Sequence, residues 1–262
     1  MHATVDWTRA WYASIRTIAE QISDQQDYLA ALNQHAAARA LNNHREVPLR
    51  FVTQAALPTG VAYEAFISQT GQIPTRQNLH DYFNALVWLG FPAIKRQLNA
   101  LQAAQIEASG VGQSRGGTRD AATIFDENCA LLVASDTTQA RTLVESLRAH
   151  QWQQVFIEQR ELFDQHIEVW LFGHALMEKL VTPYKGITAH AWPVTVPERF
   201  FAMPHQQRRE LLDVQVADDL QQHGLSTTRF TPLPVLGIPG WWQPQDAIFY
   251  ADTTVFRAKS RR

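Results

Sequence analysis

Three groups of residues in this chain have types and spacings that chemistry can use. The first is Asn78-Leu79-His80-Asp81-Tyr82-Phe83-Asn84. On a helix, His80 and Asn84 stand one turn apart on one face, next to Asp81. Tyr82 and Phe83 pull toward a core, which leaves the polar trio at its edge, where a base or a metal ligand with an orienting neighbour can work. The plainer role for His80 is to bridge two helices by hydrogen bonds. The second group is Arg119-Asp120 with Asp126-Glu127-Asn128. Two adjacent carboxylates offer the oxygen ligands that Mg²⁺ or Ca²⁺ prefers, but the same residues also build ordinary solvated turns. No loop matches the helix–loop–helix calcium pattern. The third group is His166, His174, Glu178, Lys185 and His190. His174 and Glu178, four apart, share a face if that stretch is helical. The pair lacks the interior Glu and second His of the zinc-protease motif. Histidines and a lysine beside apolar elements can form an acid–base set, and each singly is also an ordinary structural residue.

Two looser features stand beside these groups. Gly110 to Thr118 (GVGQSRGGT) carries four glycines. Its backbone amides could wrap an anion with help from Arg115 and Arg119, the candidate substrate-binding cations. It lacks the Gly-Lys-Ser/Thr ending of a phosphate loop and the spacing of a dinucleotide fingerprint. Gly237-Ile238-Pro239-Gly240-Trp241-Trp242 puts two large amphipathic rings on a shaped backbone. Trp241 and Trp242 could floor a ligand pocket, or staple the C-terminal segment over a core. No nucleophile-elbow Ser motif occurs.

The elements that must position these residues follow from periodicity. Thr17 to Asn42 predicts a Gln-rich helical stretch with Ile18, Ile22, Leu29 and Leu32 on one side. Pro48 to Pro58 predicts an extended piece, and Gly60 to Ser68 a short helix stopped at Gly71. Pro74-Thr75 is expected to open the next helix, which carries Leu79, Tyr82, Phe83, Leu86 and Leu89 at helical spacing up to Gly90. Pro92 starts a further helix through Ile94, Leu98, Leu101 and Ile106 to about Ser109. Thr123-Ile124-Phe125 and Ala130-Leu131-Leu132-Val133 flank the acidic–amide run, which predicts a β-hairpin turning at Asp126-Glu127-Asn128. Thr137 to His150 is expected to be a helix with Leu143, Val144 and Leu147 inward, and Val155-Phe156-Ile157 a buried strand. Glu161 to Leu180 fits a helix or a strand followed by a helix. Gly186 to Trp192 predicts a strand, and Pro204 to Gln222 a helix stopped at His223-Gly224. Little regular structure is expected between Pro232 and Tyr250. The fold class expected is α+β: a helix-rich single domain, residues 1–262, with a small, mostly antiparallel sheet. Its helical half is 1–109, its mixed half 119–262, and residues 110–118 form a surface loop between them.

Composition bounds the rest. The chain has 262 residues, 45% hydrophobic and 18% charged, with eight tryptophans, which suits a well-packed core rather than disorder. A formal net charge of −2 gives no global reason to bind nucleic acid or an anionic membrane. The single cysteine, Cys129, excludes intramolecular disulfides and Cys-rich zinc sites. Met1 to Arg9 lacks the basic-then-apolar pattern of a signal peptide, and apolar runs such as Val169 to Phe172 are too short to span a bilayer. A cytoplasmic location is the expectation. Nothing in the composition sets an oligomeric state.

Taken together, several segments resemble the bacterial domain-of-unknown-function 3025 family. They are His80-Asp81-Tyr-Phe-Asn84-Ala-Leu-Val-Trp88 with Phe91-Pro92 and Lys95, and Arg119-Asp120 with Phe125-Asp126-Glu127-Asn128. Phe172-Gly173-His174-Ala-Leu with Glu178-Lys179, and Lys185-Gly186-Ile-Thr-Ala-His190, follow. Leu233-Pro-Val-Leu-Gly237 with Pro239-Gly-Trp241-Trp242 comes last. The matching stretches run from position 48 to the C-terminus. One departure is Cys129, which stands where a glycine would suit a tight turn after Asp126-Glu127-Asn128.

The resemblance carries no activity. It implies that the polar groups belong to one recurring pattern, and so to a shared site. The reading that follows is a metal-assisted hydrolase acting on an anionic small molecule, with a divalent metal ion as its cofactor. In it Asp126 and Glu127 hold the ion, and His80, Asp81, Asn84, His174, Lys185 and His190 supply the catalytic groups. Asp81 would be a ligand or base, His80 and His174 ligands or proton carriers, and Lys185 a stabiliser of negative charge. The alternative is a non-catalytic binding or scaffold protein in which the same groups form a buried hydrogen-bonded network. The partner expected is a small-molecule ligand, with no nucleic acid and no membrane.

Overall fold

The computed structural model describes residues 5–23, 27–109 and 117–259. A 3₁₀ turn, Ala10–Tyr12, leads into α1 (Arg16–Ser23) and α2 (Tyr28–Ala38). The side chain of Asp27 accepts from Ala30 N at the start of α2, the capping that separates these two helices. The long Gln-rich helix expected from Thr17 to Asn42 is therefore two helices. Next come β1 (Arg50–Thr53), α3 (Tyr63–Thr70) and β2 (Gln72–Thr75). Gly71 ends α3 at φ 69°, where a Cβ would also stand 2.5 Å from the Pro48 carbonyl oxygen.

Pro74-Thr75 does not open a helix. Both residues pair with β1 in a two-stranded parallel sheet, where proline is tolerated at an edge. The helix begins later, as α4 (Leu79–Gly90), with Asn78 accepting from Asp81 N as its cap. Proline at the first position then opens α5 (Pro92–Ser109). Tyr82, Phe83, Leu86 and Leu89 on α4 and Ile94 and Leu98 on α5 are buried, as their period requires.

The expected hairpin is absent. Residues through Asn128 form α6 (Gly117–Asn128), which runs directly into β3 (Cys129–Ser135). Ala121, Ala122 and Phe125 are buried at helical spacing, and the acidic pair lies on the last turn of the helix rather than at a strand turn. The surface loop expected over 110–118 ends earlier, since Gly117 and Thr118 already belong to α6; residues 110–116 lie outside the described residues. Cys129 is a buried strand residue, so no tight turn asks for glycine there.

After β3 come α7 (Thr138–Arg148), β4 (Ile167–Leu171), α8 (His174–Lys179), β5 (Thr188–Val196), α9 (His205–His223), β6 (Thr231–Pro234) and α10 (Ala247–Tyr250). Val155-Phe156-Ile157 is not a strand: Gln154–Glu158 is a π-helical turn that buries Val155 and Phe156. An apolar run of three residues fits either element. Glu161 to Leu180 resolves as strand then helix.

The larger sheet has the order β4-β3-β5-β6. β3 is antiparallel to β4 and parallel to β5, and β5 is antiparallel to β6, so two of its three pairings are antiparallel. All seven residues of β3 are buried, as expected for a central strand. The protein is thus α+β and helix-rich, with small sheets. Its buried apolar side chains form one connected core that spans both halves of the chain. The segment before β1 belongs to that core. Trp11, Tyr12 and Ile15 are buried, Tyr12 OH donates to the Met177 carbonyl (3.1 Å), and Ser14 Oγ donates to that of Leu171 (2.9 Å). No helix among the described residues is long and apolar enough to cross a membrane.

Candidate functional site

Three helices bring the polar groups together. α4 carries His80 and Asn84, the last turn of α6 carries Asp126, Glu127 and Asn128, and α8 begins at His174. The approach of α8 to α6 depends on Gly173. A Cβ on Gly173 would lie 2.5 Å from Asn128 N and 2.6 Å from Cys129 N, so only glycine lets the two backbones meet. Gly173 N and Phe172 N both donate to the Cys129 carbonyl, which locks that junction. His174, the next residue, is thereby set against the end of α6.

At the centre, Nε2 of His174 lies 3.2 Å from Nε2 of His80, and 3.6 Å from Oε2 of Glu127. One ligand atom from each of His80, Glu127 and His174 falls within 4.8 Å of the others. Nδ1 of His80 lies 3.0 Å from Glu178 Oε2 and donates to that carboxylate, which leaves Nε2 facing His174. Two imidazole lone pairs do not face each other at this distance with nothing between them. Either one ring holds a proton there, or a cation lies between them. The separations suit a cation: four ligands set tetrahedrally about 2.0–2.1 Å from an ion stand about 3.3 Å apart. His174 and Glu178, one turn apart on α8, thus grip the two nitrogens of the same His80 ring.

Behind this centre lies a second, buried set. Lys95 Nζ on α5 donates to Asp126 Oδ1 (2.6 Å) and Asn84 Oδ1 (2.9 Å), and stands 5.1 Å from the centroid of the Trp88 ring. Asn84 Nδ2 donates to Tyr63 OH (3.1 Å), and Asn99 Nδ2 to Glu64 Oε2 (2.6 Å). Burial works against the charge on Asp126, but Lys95 and then His174 outweigh it and hold the carboxyl below its usual range. Burial, followed by the charge of Asp126, raises the carboxyl of Glu127. His174 is 3% exposed, and burial pushes its ring down to about 4, against the pull of Asp126. Its Nδ1 is buried without a hydrogen bond, 3.9 Å from Asp126 Oδ2. Toward solvent the centre is partly open, with the side chains of His80, Glu127 and Glu178 32%, 38% and 40% exposed.

The other sequence candidates lie further out. Asp81 turns from the centre to Arg76. It accepts from Arg76 Nε and Nη2, both at 2.9 Å, and from the Arg76 backbone N at 2.6 Å. Burial opposes its charge, but those bonds win and hold its carboxyl below the usual range. His190, paired across the sheet with Cys129, accepts at Nδ1 from Asn128 Nδ2 (2.9 Å), one residue beyond Glu127. Burial and then the charge of Lys179 lower its ring. Lys185 donates to Asp252 (2.8 Å) over the Phe249 ring, in the C-terminal segment. Trp241 packs on Trp11, and Trp242 lies beside Gln243 and Pro244 around a separate hollow. Arg115 and the side chain of Arg119 lie outside the described residues.

Lys95, Tyr63, Glu64 and Asn99 were not among the site residues expected from sequence. The signal for Lys95 was present: with Asn99 it forms a polar pair four residues apart, flanking the Ile94–Leu98 apolar stripe of α5. A lysine at such a position ordinarily reads as a solvated side chain.

The fold and the site define an α+β protein with a histidine–carboxylate centre held among α4, α6 and α8. The family model described as "Protein of unknown function (DUF3025)" matches residues 49–261. The chain belongs to that family. No curated protein and no solved structure matches the chain.

Proposed function

We propose that this protein is a metal-assisted hydrolase of an anionic small molecule, with His80, His174 and Glu127 as the ligands of one divalent ion. The observation that carries this reading is the meeting of two imidazole Nε2 atoms at 3.2 Å with the Glu127 carboxylate at 3.6 Å, on a face partly open to solvent. Two nitrogens and one oxygen favour Zn²⁺ or a similar transition metal over the Mg²⁺ or Ca²⁺ that carboxylates alone would favour. Asp126 moves from ligand to support in this reading, since Lys95 occupies its Oδ1. When bound, such an ion supplies Lewis acidity and an acidified water.

The chain's own residues do the rest. Glu178 fixes the tautomer and ring angle of His80, the arrangement that metal-binding histidines commonly use. Asp126, held by Lys95, keeps a negative charge 3.9 Å from His174 Nδ1. Lys179, whose charge acts on both Glu127 and His190, is the cation placed to attract an anionic substrate, while Lys185 is engaged with Asp252.

A non-catalytic scaffold remains the rival, and the paired inner set of Lys95, Asp126, Asn84 and Tyr63 favours it. Metal analysis of the purified chain, before and after equilibration with Zn²⁺, Mn²⁺, Co²⁺ or Fe²⁺, separates the two. The expected result is close to one ion per chain, lost in His174→Ala and Glu127→Gln, together with hydrolysis of a phosphate or carboxylate ester that a chelator abolishes. A wild-type chain that takes up none of these ions would leave the scaffold reading standing.

A further inference from the structure

A pocket elsewhere in the fold shares no residue with the histidine–carboxylate centre. It has a volume of about 430 Å³, within the range of small-molecule sites. Trp11, Trp170 and Trp241 line it, with Arg16, His205 and Arg208. These residues come from the first 3₁₀ turn, α1, the edge strand β4, the start of α9 and the C-terminal segment. The His205 ring lies flat on Trp170, centroids 4.4 Å apart and planes 20° apart, and the Arg208 guanidinium stands 5.7 Å from a Trp170 ring centroid. Trp11 and Trp241 meet at a tilt of 54°, centroids 6.2 Å apart.

The polar groups of this pocket are short of acceptors. Two acids line it, Asp164 and Glu168. Glu168 is already engaged: it pairs with Arg208 and accepts from Trp170 Nε1 at 2.8 Å. Arg16 Nη2 donates to the Thr8 and Arg9 carbonyls, but Arg16 Nε and Arg208 Nε are buried without a hydrogen-bond partner. A buried donor left in this way is costly unless an acceptor reaches it. The field is also positive at His205: burial, then Arg208, Arg209 and Arg16, push its ring down to about 4.

We propose that this pocket binds an aromatic carboxylate, its ring against Trp241 and its carboxylate on the side of Arg16 and Arg208. Trp241 is half-buried and supplies stacking area, with the buried Trp11 and the His205-covered Trp170 as the walls behind it, and the guanidiniums supply charge-assisted donors for the anion. Neither a neutral ring nor a small apolar-free anion uses both halves of the site.

Calorimetric titration of the full chain, with a chelator present, tests the proposal using 2-naphthoate, its neutral counterpart 2-naphthamide, and acetate. The expected result is one 2-naphthoate per chain, bound at least about tenfold more tightly than the amide, with acetate showing no heat. Trp241→Ala and Arg16→Gln should each weaken 2-naphthoate about tenfold or more in chains whose circular dichroism is unchanged. Equal binding of acid and amide would overturn the proposal. So would no binding of 2-naphthoate, or binding that survives both substitutions in folded chains.

Discussion

His174 and His205 are both pushed down to about 4, and burial is the leading cause at each. Their charged surroundings differ in sign. Asp126 pulls the His174 ring back toward protonation, and Glu127 stands 3.6 Å from it. His205 has Arg208, Arg209 and Arg16 as its principal charged neighbours, and all three push the same way as burial. A neutral imidazole among carboxylates is prepared to share a cation. One among guanidiniums, stacked on tryptophan, borders a place that attracts an anion. The same side chain, held neutral in both places, therefore marks two sites of opposite electrostatic character.

The largest expected effect breaks the support of the first site. Lys95→Met leaves the Asp126 carboxylate buried without its cation, and should lower the unfolding free energy in urea by about 3–5 kcal/mol. Lys95→Met combined with Asp126→Leu should recover much of that loss, because an apolar pair no longer leaves a buried charge unmatched.

Next, Zn²⁺ at about a hundred times its dissociation constant should raise stability by about 2.7 kcal/mol in the wild-type chain. Thermal melts with and without the ion measure this, and His174→Ala should show no such gain.

Gly173→Ala tests the junction between the sites' supporting elements. The added methyl meets the Asn128–Cys129 backbone, and a loss of about 1–3 kcal/mol is expected. Metal affinity should fall with it as α8 backs away from Glu127, while 2-naphthoate binding should hold.

The smallest effect belongs to His205. Its folded pKa lies below the unfolded value near 6.5, so the unfolded chain takes up the proton first. The stability this ring contributes is present above about pH 6.5 and is lost as the pH falls toward 4. For a half-buried ring the loss is on the order of 1 kcal/mol. Urea unfolding at pH 7 and pH 4.5 should show a smaller difference in His205→Gln than in wild type; His174 titrates in the same window, so part of the difference remains.

The helices α4, α5 and α7 were legible from their apolar period and α9 from its proline start and glycine stop, and so was the nearness of His80, His174 and the Asp126-Glu127 pair. The element carrying that pair was not. Thr123 and Ile124 are β-branched and the following acidic–amide run looks like a turn, yet Ala121, Ala122 and Phe125 follow a helical period. No glycine or proline marks the passage from α6 to β3, because the chain changes from helix to strand between Asn128 and Cys129 without a turn. The break needed for close approach lies instead in the partner segment, at Gly173. Asp81 and Lys185 were expected at the centre for their charge. Each has a local counter-charge, Arg76 and Asp252, which no spacing rule pairs with them in advance. Lys95 escapes a reading of the sequence for the same reason: its carboxylate partner is 31 positions away.

The family match begins at residue 49, but the folded unit does not. Trp7 rests against Tyr82 and Phe83 of α4, and Tyr12 and Ser14 bond to the backbone on either side of His174, at Met177 and Leu171. An expression fragment trimmed to the matched boundary would uncover the back of α4, drop two of the anchors that hold α8 at the end of β4, and remove Trp11 from the aromatic pocket. Such a fragment would be prone to aggregate, and assays on it would report on a damaged scaffold rather than on the chemistry of either site.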